Sequence, residues 1–392
     1  MSLSSTYKAI DFEFSFHLPT LIEFGYGKAA LLGERLCQLG VKNVFLVSDR
    51  GVESAGILQK ITHSFMTSNI QYETYLEVEA DPGLETIDNG AKVFASNAYD
   101  CIVAVGGGSA IDTAKGIRVV ASNGGSIGDY AGVDKIGESP LIPLIAVPTT
   151  SGTGSEVTIF GVYSDWAKNV KVTVTSQFMA PTIALVDPQL TMNLPQKMTA
   201  ASGIDALAHG IESYFSLRSR PASAALALEA IEIVGSHLRR SVNNGEDEEA
   251  RCGMSHGSLL AGMAFNNGFL GLAHAIGSAL SGHCHVPHGV AIGLLLPHVV
   301  EFNSSVRPDK AAKIAELLGV KAESEDQLQT HAAYAVANLV KDIGLPTQLR
   351  DVNVPEEKLS DIARDSFKSG MMKFNPRQPT ESEVFELLKR AY

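Results

Sequence analysis

The hydrophobic positions follow two different rhythms along the chain. From about residue 21 to residue 185, short apolar, β-branched runs alternate with helix-like stretches, as in the run 44–48, the helical segment 57–66 and the run 72–75. Such alternation predicts a parallel sheet with helices on both faces. The run 101–105 is apolar throughout, which is typical of a strand buried on both faces.

The second rhythm begins after about Pro188. Long alanine- and leucine-rich amphipathic segments, such as 195–214 and 222–238, replace the strand signals there. We therefore predict two domains, an α/β domain with a Rossmann-like parallel sheet in residues 1–187 and an all-α domain in residues 188–392.

A glycine-rich turn follows the strongest predicted strand and precedes a helix-like segment. It reads Gly106-Gly107-Gly108-Ser109. Glycines let the backbone approach an anion, and the free N–H groups at a helix start attract phosphate. Ser109 is placed to cap the helix and to donate to the same phosphate. The segment predicts phosphate binding; the alternative is a tight turn that needs glycine only for packing.

Two further polar features point toward a dinucleotide. The run 148–156, which reads PTTSGTGSE, follows an apolar stretch and offers many hydroxyls for phosphate or ribose, although an exposed turn is the alternative. Asp49 ends the predicted strand 44–48. A carboxylate there holds a ribose 2′-hydroxyl and repels a 2′-phosphate, which favours NAD over NADP. The alternative for Asp49 is a helix cap.

The helical half carries a constellation of metal-ligand residues. Asp205 and His209 are four residues apart and so lie on one helix face, while His274 and His288 come from two segments that resemble helices joined by a short loop. Three imidazoles and one carboxylate bind a first-row divalent ion such as Zn²⁺ or Fe²⁺ and leave room for a substrate oxygen. A single histidine in such a helix is more often a packing residue, but an unpaired Asp205 in apolar surroundings would be costly.

These motifs together resemble those of the iron-containing (group III) alcohol dehydrogenases, relatives of glycerol dehydrogenase and dehydroquinate synthase. The resemblance runs from Phe24-Gly25-Tyr26-Gly27 to Asn375-Pro376-Arg377 and includes the patterns GGGSxxDxAK, PTTSGTGSE, DAxxH and HAxG…PHG. It implies a dehydroquinate synthase-like fold with the active site in a cleft between the two domains. It also implies a divalent metal, Fe²⁺ before Zn²⁺ or Ni²⁺, together with NAD.

The resemblance assigns roles to individual residues. It implies metal ligation by Asp205, His209, His274 and His288. It implies dinucleotide contacts from Asp49, Gly107, Gly108, Ser109, Asp112, Thr149, Thr150 and Lys171.

The chain departs from the family pattern at two places. Many members carry a second histidine four residues after the third ligand, and Ser278 stands there in this chain. Ser278 acting through water, or else His283 or His285, would then pass the proton. The family more often has Asn-Pro-Thr where this chain has Asp81-Pro82-Gly83, which implies a weaker adenosine or phosphate contact.

The resulting hypothesis is reversible hydride transfer between a small alcohol and NAD(P), with the metal as a Lewis acid on the alcohol oxygen. A short or medium alcohol is expected to meet helix faces around Phe265, Asn266 and Phe269. Two alternatives stand beside it: a dehydroquinate synthase-like lyase and a catalytically silent binding protein on the same fold. The lyase needs a basic pocket, for which the helical half offers Arg218, Arg220, Arg239, Arg240 and Arg251 without the spacing of a phosphate clamp.

Charge and composition indicate which classes of binding partner and which compartment are expected. A net charge of −12 disfavours nucleic acid and acidic membrane surfaces. Residues 1–17 lack a basic start followed by an apolar run, and four scattered cysteines suggest no disulfide framework, so the cytoplasm is expected. Dimers are common in the family that this chain resembles, so a homodimer or higher homo-oligomer is expected.

Overall fold

The computed structural model describes residues 13–168, 170–320 and 325–392. Most of the segment 1–17, used above to predict the compartment, therefore lies outside the described residues. The described strands are β1 (Leu21–Phe24), β2 (Asn43–Val47), β3 (Gln71–Tyr75), β4 (Cys101–Gly106), β5 (Gly132–Val133), β6 (Leu144–Pro148), β7 (Phe160–Asp165), β8 (Val170–Thr175) and β9 (Ile183–Val186).

The α-helices divide into a short set in the first half of the chain and a long set in the second. Those of the first half are α1 (Leu32–Gln38), α2 (Arg50–Ser54), α3 (Ile57–Thr67), α4 (Leu84–Ala95) and α5 (Gly108–Asn123). Those of the second half are α6 (Gln196–Phe215), α7 (Pro221–Asn243), α8 (Glu248–Gly268), α9 (Leu272–Cys284), α10 (His288–Ser304), α11 (Pro308–Leu317), α12 (Glu325–Asp342), α13 (Leu359–Ser366) and α14 (Glu381–Ala391).

The predicted parallel sheet is confirmed. Six strands pair in the order β1-β9-β6-β4-β2-β3, and every pairing among them is parallel. All six residues of β4 are buried, because one hydrophobic cluster covers each face of the sheet. The continuous apolar run in this strand is therefore explained by burial on both sides.

The order of the strands creates a topological switch point at the carboxyl end of the sheet. After β2 the chain moves outward to β3, whereas after β4 it moves in the other direction to β6. Ligands of open α/β sheets bind at such a switch point, outside the carboxyl ends of the strands. Asp49 follows β2, Gly107 follows β4 and Thr149 follows β6, so the three segments predicted to bind the dinucleotide lie at the same end of the sheet.

A second sheet of three strands, in the order β5-β8-β7, is formed by segments that lie between β4 and β9 of the large sheet in sequence. Strands β7 and β8 form an antiparallel hairpin. The Ser164 amide of β7 donates to the Pro82 carbonyl at 2.9 Å, so the hairpin is fastened to the loop that contains Asp81-Pro82-Gly83.

The change from strands to helices occurs close to residue 188, as predicted. The last strand ends at Val186 and the first long helix begins at Gln196. The largest hydrophobic cluster is built only from residues of the helical half, between Ala200 and Tyr392. The division at residue 188 into separate domains stays a prediction, which these separate cores support.

No single described helix is both long and apolar enough to cross a membrane. Among the helices that the structure describes, only α8 and α9 taken together reach that length and composition, and a bend of 100° separates them.

Candidate functional site

Four predicted metal ligands meet in the helical half. Asp205 and His209 lie one turn apart on α6, His274 lies in the first turn of α9, and His288 begins α10. The Asp205 Oδ1 atom is 3.7 Å from His209 Nε2, 3.3 Å from His274 Nε2 and 3.6 Å from His288 Nε2. Three different helices therefore direct imidazole nitrogens toward one carboxylate oxygen.

The cluster has the properties of a site built for a cation. Asp205, His209 and His274 are each at most 4% exposed, and their ligand atoms lie within 4.8 Å of one another. Asp205 Oδ1 and His274 Nε2 are buried without a hydrogen-bond partner. Leaving buried polar atoms unpaired is costly, and a divalent ion would satisfy both atoms at once. The donor set therefore fits the predicted metal.

Two further groups orient the imidazoles through contacts with their Nδ1 atoms. Glu212 Oε2 lies 2.5 Å from His274 Nδ1, and the Gly152 carbonyl oxygen lies 3.2 Å from His209 Nδ1. An acceptor at Nδ1 selects the tautomer in which the proton is on that nitrogen, so the Nε2 lone pair faces the metal position. The sequence reasoning missed Glu212, although its place seven residues after Asp205 puts it on the same helix face.

Burial and charge set the protonation of these groups in the metal-free protein. Burial opposes ionisation of Asp205, but the neighbouring imidazoles, His209 first, outweigh it and lower the pKa of the carboxyl. Burial lowers the pKa of His209 to about 4, so this imidazole is neutral and ready to bind metal at pH 7. Burial also opposes the charge on His274, but Glu212 and Asp205 outweigh it and raise its pKa to about 9.

One side of the cluster is open. The His288 side chain is 38% exposed, whereas those of Asp205, His209 and His274 are at most 5% exposed. Desolvation of the ring lowers the pKa of His288, and the negative charges of Asp205 and Asp81 oppose this effect. A substrate oxygen would therefore approach the cluster past His288.

Lys171 is held in an ion pair. Its Nζ atom is 2.6 Å from Asp81 Oδ1 and 3.1 Å from Ser164 Oγ. The aspartate that replaces the family's more usual asparagine is thus the partner of this lysine. The contact between Lys171 and the dinucleotide stays a prediction.

The glycine turn has the geometry of an anion site, with one correction. Gly107, not Ser109, is the cap of α5, and the helix already begins at Gly108. The prediction that Ser109 caps this helix is therefore wrong, because Ser109 lies inside the first turn. Its amide is instead among the first N–H groups of a helix, which have no partner within the helix and can donate to phosphate.

The glycines of this turn are required by close neighbours. A Cβ at Gly108 would lie 2.7 Å from the Thr153 side chain, and one at Gly106, where φ is +155°, would lie 2.7 Å from Ala110 Cβ. Thr150 lies 3.4 Å from a Cβ placed at Gly107. The hydroxyl loop 148–156 therefore lies directly over the glycine turn.

Asp49 caps a helix. Its Oδ1 accepts from the amides of Gly51 and Val52 at 2.8 and 2.9 Å, which is the alternative that the sequence left open. The second oxygen, Oδ2, lies 3.5 Å from a Cβ built at Gly106, on the side of the glycine turn. The cap holds the carboxylate at the switch point, so it does not compete with the predicted ribose contact.

The hydroxyl loop is fastened to α5 through Ser155. Asp112 accepts from Ser155 Oγ at 2.5 Å and from the Val162 amide at 3.0 Å. The fully buried Lys115 donates to Ser155 Oγ at 2.8 Å and to the Phe160 carbonyl at 2.7 Å. Both oxygens of Asp112 thus bind protein groups, and its predicted contact with the dinucleotide stays a prediction.

Comparison with known proteins agrees with this geometry. The family model for iron-containing alcohol dehydrogenase matches residues 19–188, and the model for the C-terminal part of the Fe-containing alcohol dehydrogenase family matches residues 199–392. The chain belongs to the iron-containing alcohol dehydrogenase family. It is accordingly an oxidoreductase that transfers hydride between an alcohol and a nicotinamide dinucleotide.

Similar members of the family match along nearly the whole chain. The chain is 36% identical over 379 residues to the NAD-dependent methanol dehydrogenase of Bacillus methanolicus, covering 96% of this chain and 99% of that protein. It is 38% identical over 386 residues to the 1,3-propanediol dehydrogenase of Citrobacter freundii, covering 97% and 99%. The solved alcohol dehydrogenase from Oenococcus oeni has a TM-score of 0.94 at 34% identity, covering 97% and 100%.

In this dehydrogenase, a set of aromatic rings extends from one face of the candidate metal-ligand residues. Phe265 stacks on the His209 ring with centroids 4.4 Å apart, and Phe160 stacks on Phe265 at 5.9 Å. Phe269 stacks on Phe374 at 4.5 Å. The backbone of Phe269 has φ 60° and ψ 174°, a conformation that only glycine adopts readily and that clusters at functional sites.

The proton-relay candidates stand in different surroundings. Ser278 lies on α9 one turn after His274 and is half-buried. His283 Nε2 is 3.0 Å from Asp365 Oδ2, and the exposed His285 has its ring 6.5 Å from that of Trp166. His283 is thus already paired with a carboxylate. The relay through Ser278 stays a prediction.

Proposed function

We propose that this dehydrogenase oxidises short primary alcohols or diols with NAD and reduces the matching aldehydes, at a metal held by Asp205, His209, His274 and His288. The observation that carries the proposal is the buried cluster of Asp205 with three imidazoles. In this cluster Asp205 Oδ1 and His274 Nε2 lack hydrogen-bond partners. Fe²⁺ is the proposed ion, with Zn²⁺ or Ni²⁺ as alternatives that the same nitrogen and oxygen donors accept.

The protein's own residues prepare the reaction. A bound divalent ion supplies Lewis acidity that lowers the pKa of an alcohol hydroxyl. Gly152 and Glu212 fix the imidazoles, and the exposed side of His288 leaves an approach for the hydroxyl. Ser278, one turn after His274, is proposed to pass the released proton toward solvent through water.

The dinucleotide is proposed to lie across the switch point of the large sheet. The first amides of α5, at Gly108 and Ser109, receive the pyrophosphate with the backbone of Gly107 beside them. Thr149 and Thr150 offer hydroxyls from the loop above the turn, and Asp49 Oδ2 faces the ribose. In this position the nicotinamide end of the dinucleotide points toward the helical half and the proposed metal site.

The aromatic wall supports a small substrate. Phe265 covers one face of His209, and Phe160 covers Phe265. Such a surface favours contact with the alkyl part of an alcohol. Similar proteins named for methanol and 1,3-propanediol support the same substrate size.

The lyase alternative is not favoured, because three of its five candidate arginines are already held by other protein groups. Arg251 donates to carbonyls and Thr199, Arg240 pairs with Asp247 and Glu249, and Arg239 pairs with Asp342. No phosphate clamp forms among these side chains. A silent binding protein is also not favoured, since nothing in such a protein requires a complete cluster with unpaired buried atoms.

The compartment and assembly are part of the proposal. All four cysteines are free, which agrees with the reducing conditions of the cytoplasm. A homodimer or higher homo-oligomer is proposed on the prior that most soluble oligomers are symmetric assemblies of one chain.

A substrate panel tests the proposed activity. Metal is first removed from the protein with a chelator. The metal-free protein is then reconstituted with Fe²⁺, Zn²⁺ or Ni²⁺ and assayed with C1 to C8 primary alcohols, diols and their aldehydes in the presence of NAD or NADP. We expect a net change in reduced-nicotinamide absorbance that needs the metal and is largest with short alcohols and NAD. Turnover without any net nicotinamide change would favour the lyase, and failure to bind any of the three ions would favour the silent protein.

Asp49 gives a second test, of cofactor choice. Asp49→Asn keeps a good helix cap but removes the charge that faces the ribose. We expect the ratio of kcat/KM for NADP to that for NAD to rise at least about tenfold, which corresponds to about 1.4 kcal/mol. Asp247→Asn, which changes the cap of α8, is the control and leaves the ratio unchanged. An unaltered ratio in Asp49→Asn would show that this carboxylate only caps α2.

A further inference from the structure

The amino end of α9, which carries His274, is capped by side chains from other parts of the chain. Its own cap residue is Gly271, which has no side chain to accept from the first amides. The Ala273 amide donates to Glu212 Oε1 at 2.6 Å, and the Leu272 amide donates to Asn375 Oδ1 at 3.3 Å. The first turn of this helix is therefore held from outside.

Glu212 makes more than a helix cap. Its Oε2 atom lies 2.5 Å from His274 Nδ1 and accepts from the His274 amide at 3.4 Å. The glutamate is 2% exposed and comes from α6, the helix that also carries Asp205 and His209. One carboxylate thus joins the backbone and the ring of His274 to the helix of the other two ligands.

The space around this contact is tight. A Cβ at Gly271 would lie 2.8 Å from Asn375 Oδ1 and 3.3 Å from Glu212 Oε1, so glycine is needed for both acceptors to reach the helix. Asn375 is itself fixed by a reciprocal amide pair with Asn303, with bonds of 2.7 and 3.0 Å. This accounts for the asparagine of the Asn375-Pro376-Arg377 motif without any contact to substrate.

We propose that Glu212 is a positioning residue for the metal ligand His274, acting through the proton on Nδ1. A carboxylate can only accept there, so it keeps the proton on Nδ1 and the Nε2 lone pair directed at Asp205 and the ion. It also fixes the rotation of the ring, because the same carboxylate holds the backbone of that turn. The inference rests on the metal site proposed above.

Glu212→Gln tests the proposal at constant size. The new amide oxygen can still accept from Ala273, but its NH₂ group then faces His274 Nδ1 and favours the tautomer with the proton on Nε2, which cannot bind metal. We expect Zn²⁺ binding to weaken by roughly 10- to 100-fold, measured by competition with a chromophoric chelator. The absorption spectrum of the Co²⁺-loaded variant should also differ from that of the wild type.

The controls separate positioning from folding. Asp247→Asn also exchanges a helix-capping carboxylate for an amide, and we expect it to keep wild-type Zn²⁺ affinity and Co²⁺ spectrum. The unfolding temperature of metal-free Glu212→Gln is measured beside it. Glu212→Asp keeps the charge and should recover part of the lost affinity.

The outcomes are distinct. Wild-type protein that binds neither ion would refute the metal site itself, whereas tight wild-type binding that Glu212→Gln leaves within twofold would refute only the role of Glu212. An equal loss of affinity in Asp247→Asn would also refute it. If Glu212→Gln does not fold, Glu212→Asp decides: weakened Zn²⁺ binding with an altered Co²⁺ spectrum supports the proposal, and wild-type values for both overturn it.

Discussion

Replacing His274 with alanine is expected to abolish stoichiometric metal binding and to lower kcat/KM for alcohol oxidation by roughly 10³-fold or more, because a Lewis acid contributes several kcal/mol to such a reaction. His274 is the proposed ligand nearest to Asp205, at 3.3 Å, and it is almost fully buried, so solvent does not replace its nitrogen easily. Metal content per chain and steady-state kinetics with NAD measure the two effects.

His63→Ala is the matched control for this replacement, since His63 is an exposed histidine on α3. It should leave metal content and kinetics unchanged. Circular dichroism of both metal-free variants checks that the helical half is intact. If the His274 variant kept its metal and its NAD-linked alcohol oxidation, the proposed centre would be wrong.

Replacing Lys115 with methionine is expected to reduce the free energy of unfolding by about 3–5 kcal/mol, the usual cost of removing one partner from a buried charged network. The fully buried ammonium group donates to Ser155, Thr158 and the Phe160 carbonyl, and it lies 3.4 Å from Asp112 Oδ1. Methionine fills a similar volume but satisfies none of these oxygens.

Denaturant unfolding followed by tryptophan fluorescence measures this loss, because the single tryptophan, Trp166, lies next to the β7–β8 hairpin. The KM for NAD should rise as well, since the hydroxyl loop loses its anchor on α5. Lys313→Met removes an exposed ion pair with Glu316 and should change stability by less than about 1 kcal/mol. Equal stability of the two variants would contradict the role assigned to Lys115.

The sequence was most informative where a local pattern determines the structure. The apolar run of β4 could hardly be other than a doubly buried strand, and the spacing of Asp205 and His209 placed both on one face of α6. The cap of α5 was misplaced by two residues because serine is the better cap in general, while here the backbone of Gly107 occupies that position.

The residues that sequence reasoning missed act over long distances in the chain. Lys115 is usually an exposed residue type, and its acceptors lie 40 to 45 residues away on a separate loop and strand. Spacing puts Glu212 on the same face of α6 as Asp205, but its partner His274 lies 62 residues further on in the chain. Only the tertiary arrangement shows that both charges are buried and bonded.

The contact between the Gly152 carbonyl and His209 links the two halves of the chain. That oxygen belongs to the hydroxyl loop of the α/β half, yet it fixes the imidazole of His209 in the helical half. Gly152 and Gly154 also touch Ser202 and Gly262 closely enough that any side chain there would collide. The two halves are therefore not interchangeable modules: a helical half transplanted between relatives keeps a complete metal centre only if the loop that seats His209 travels with it.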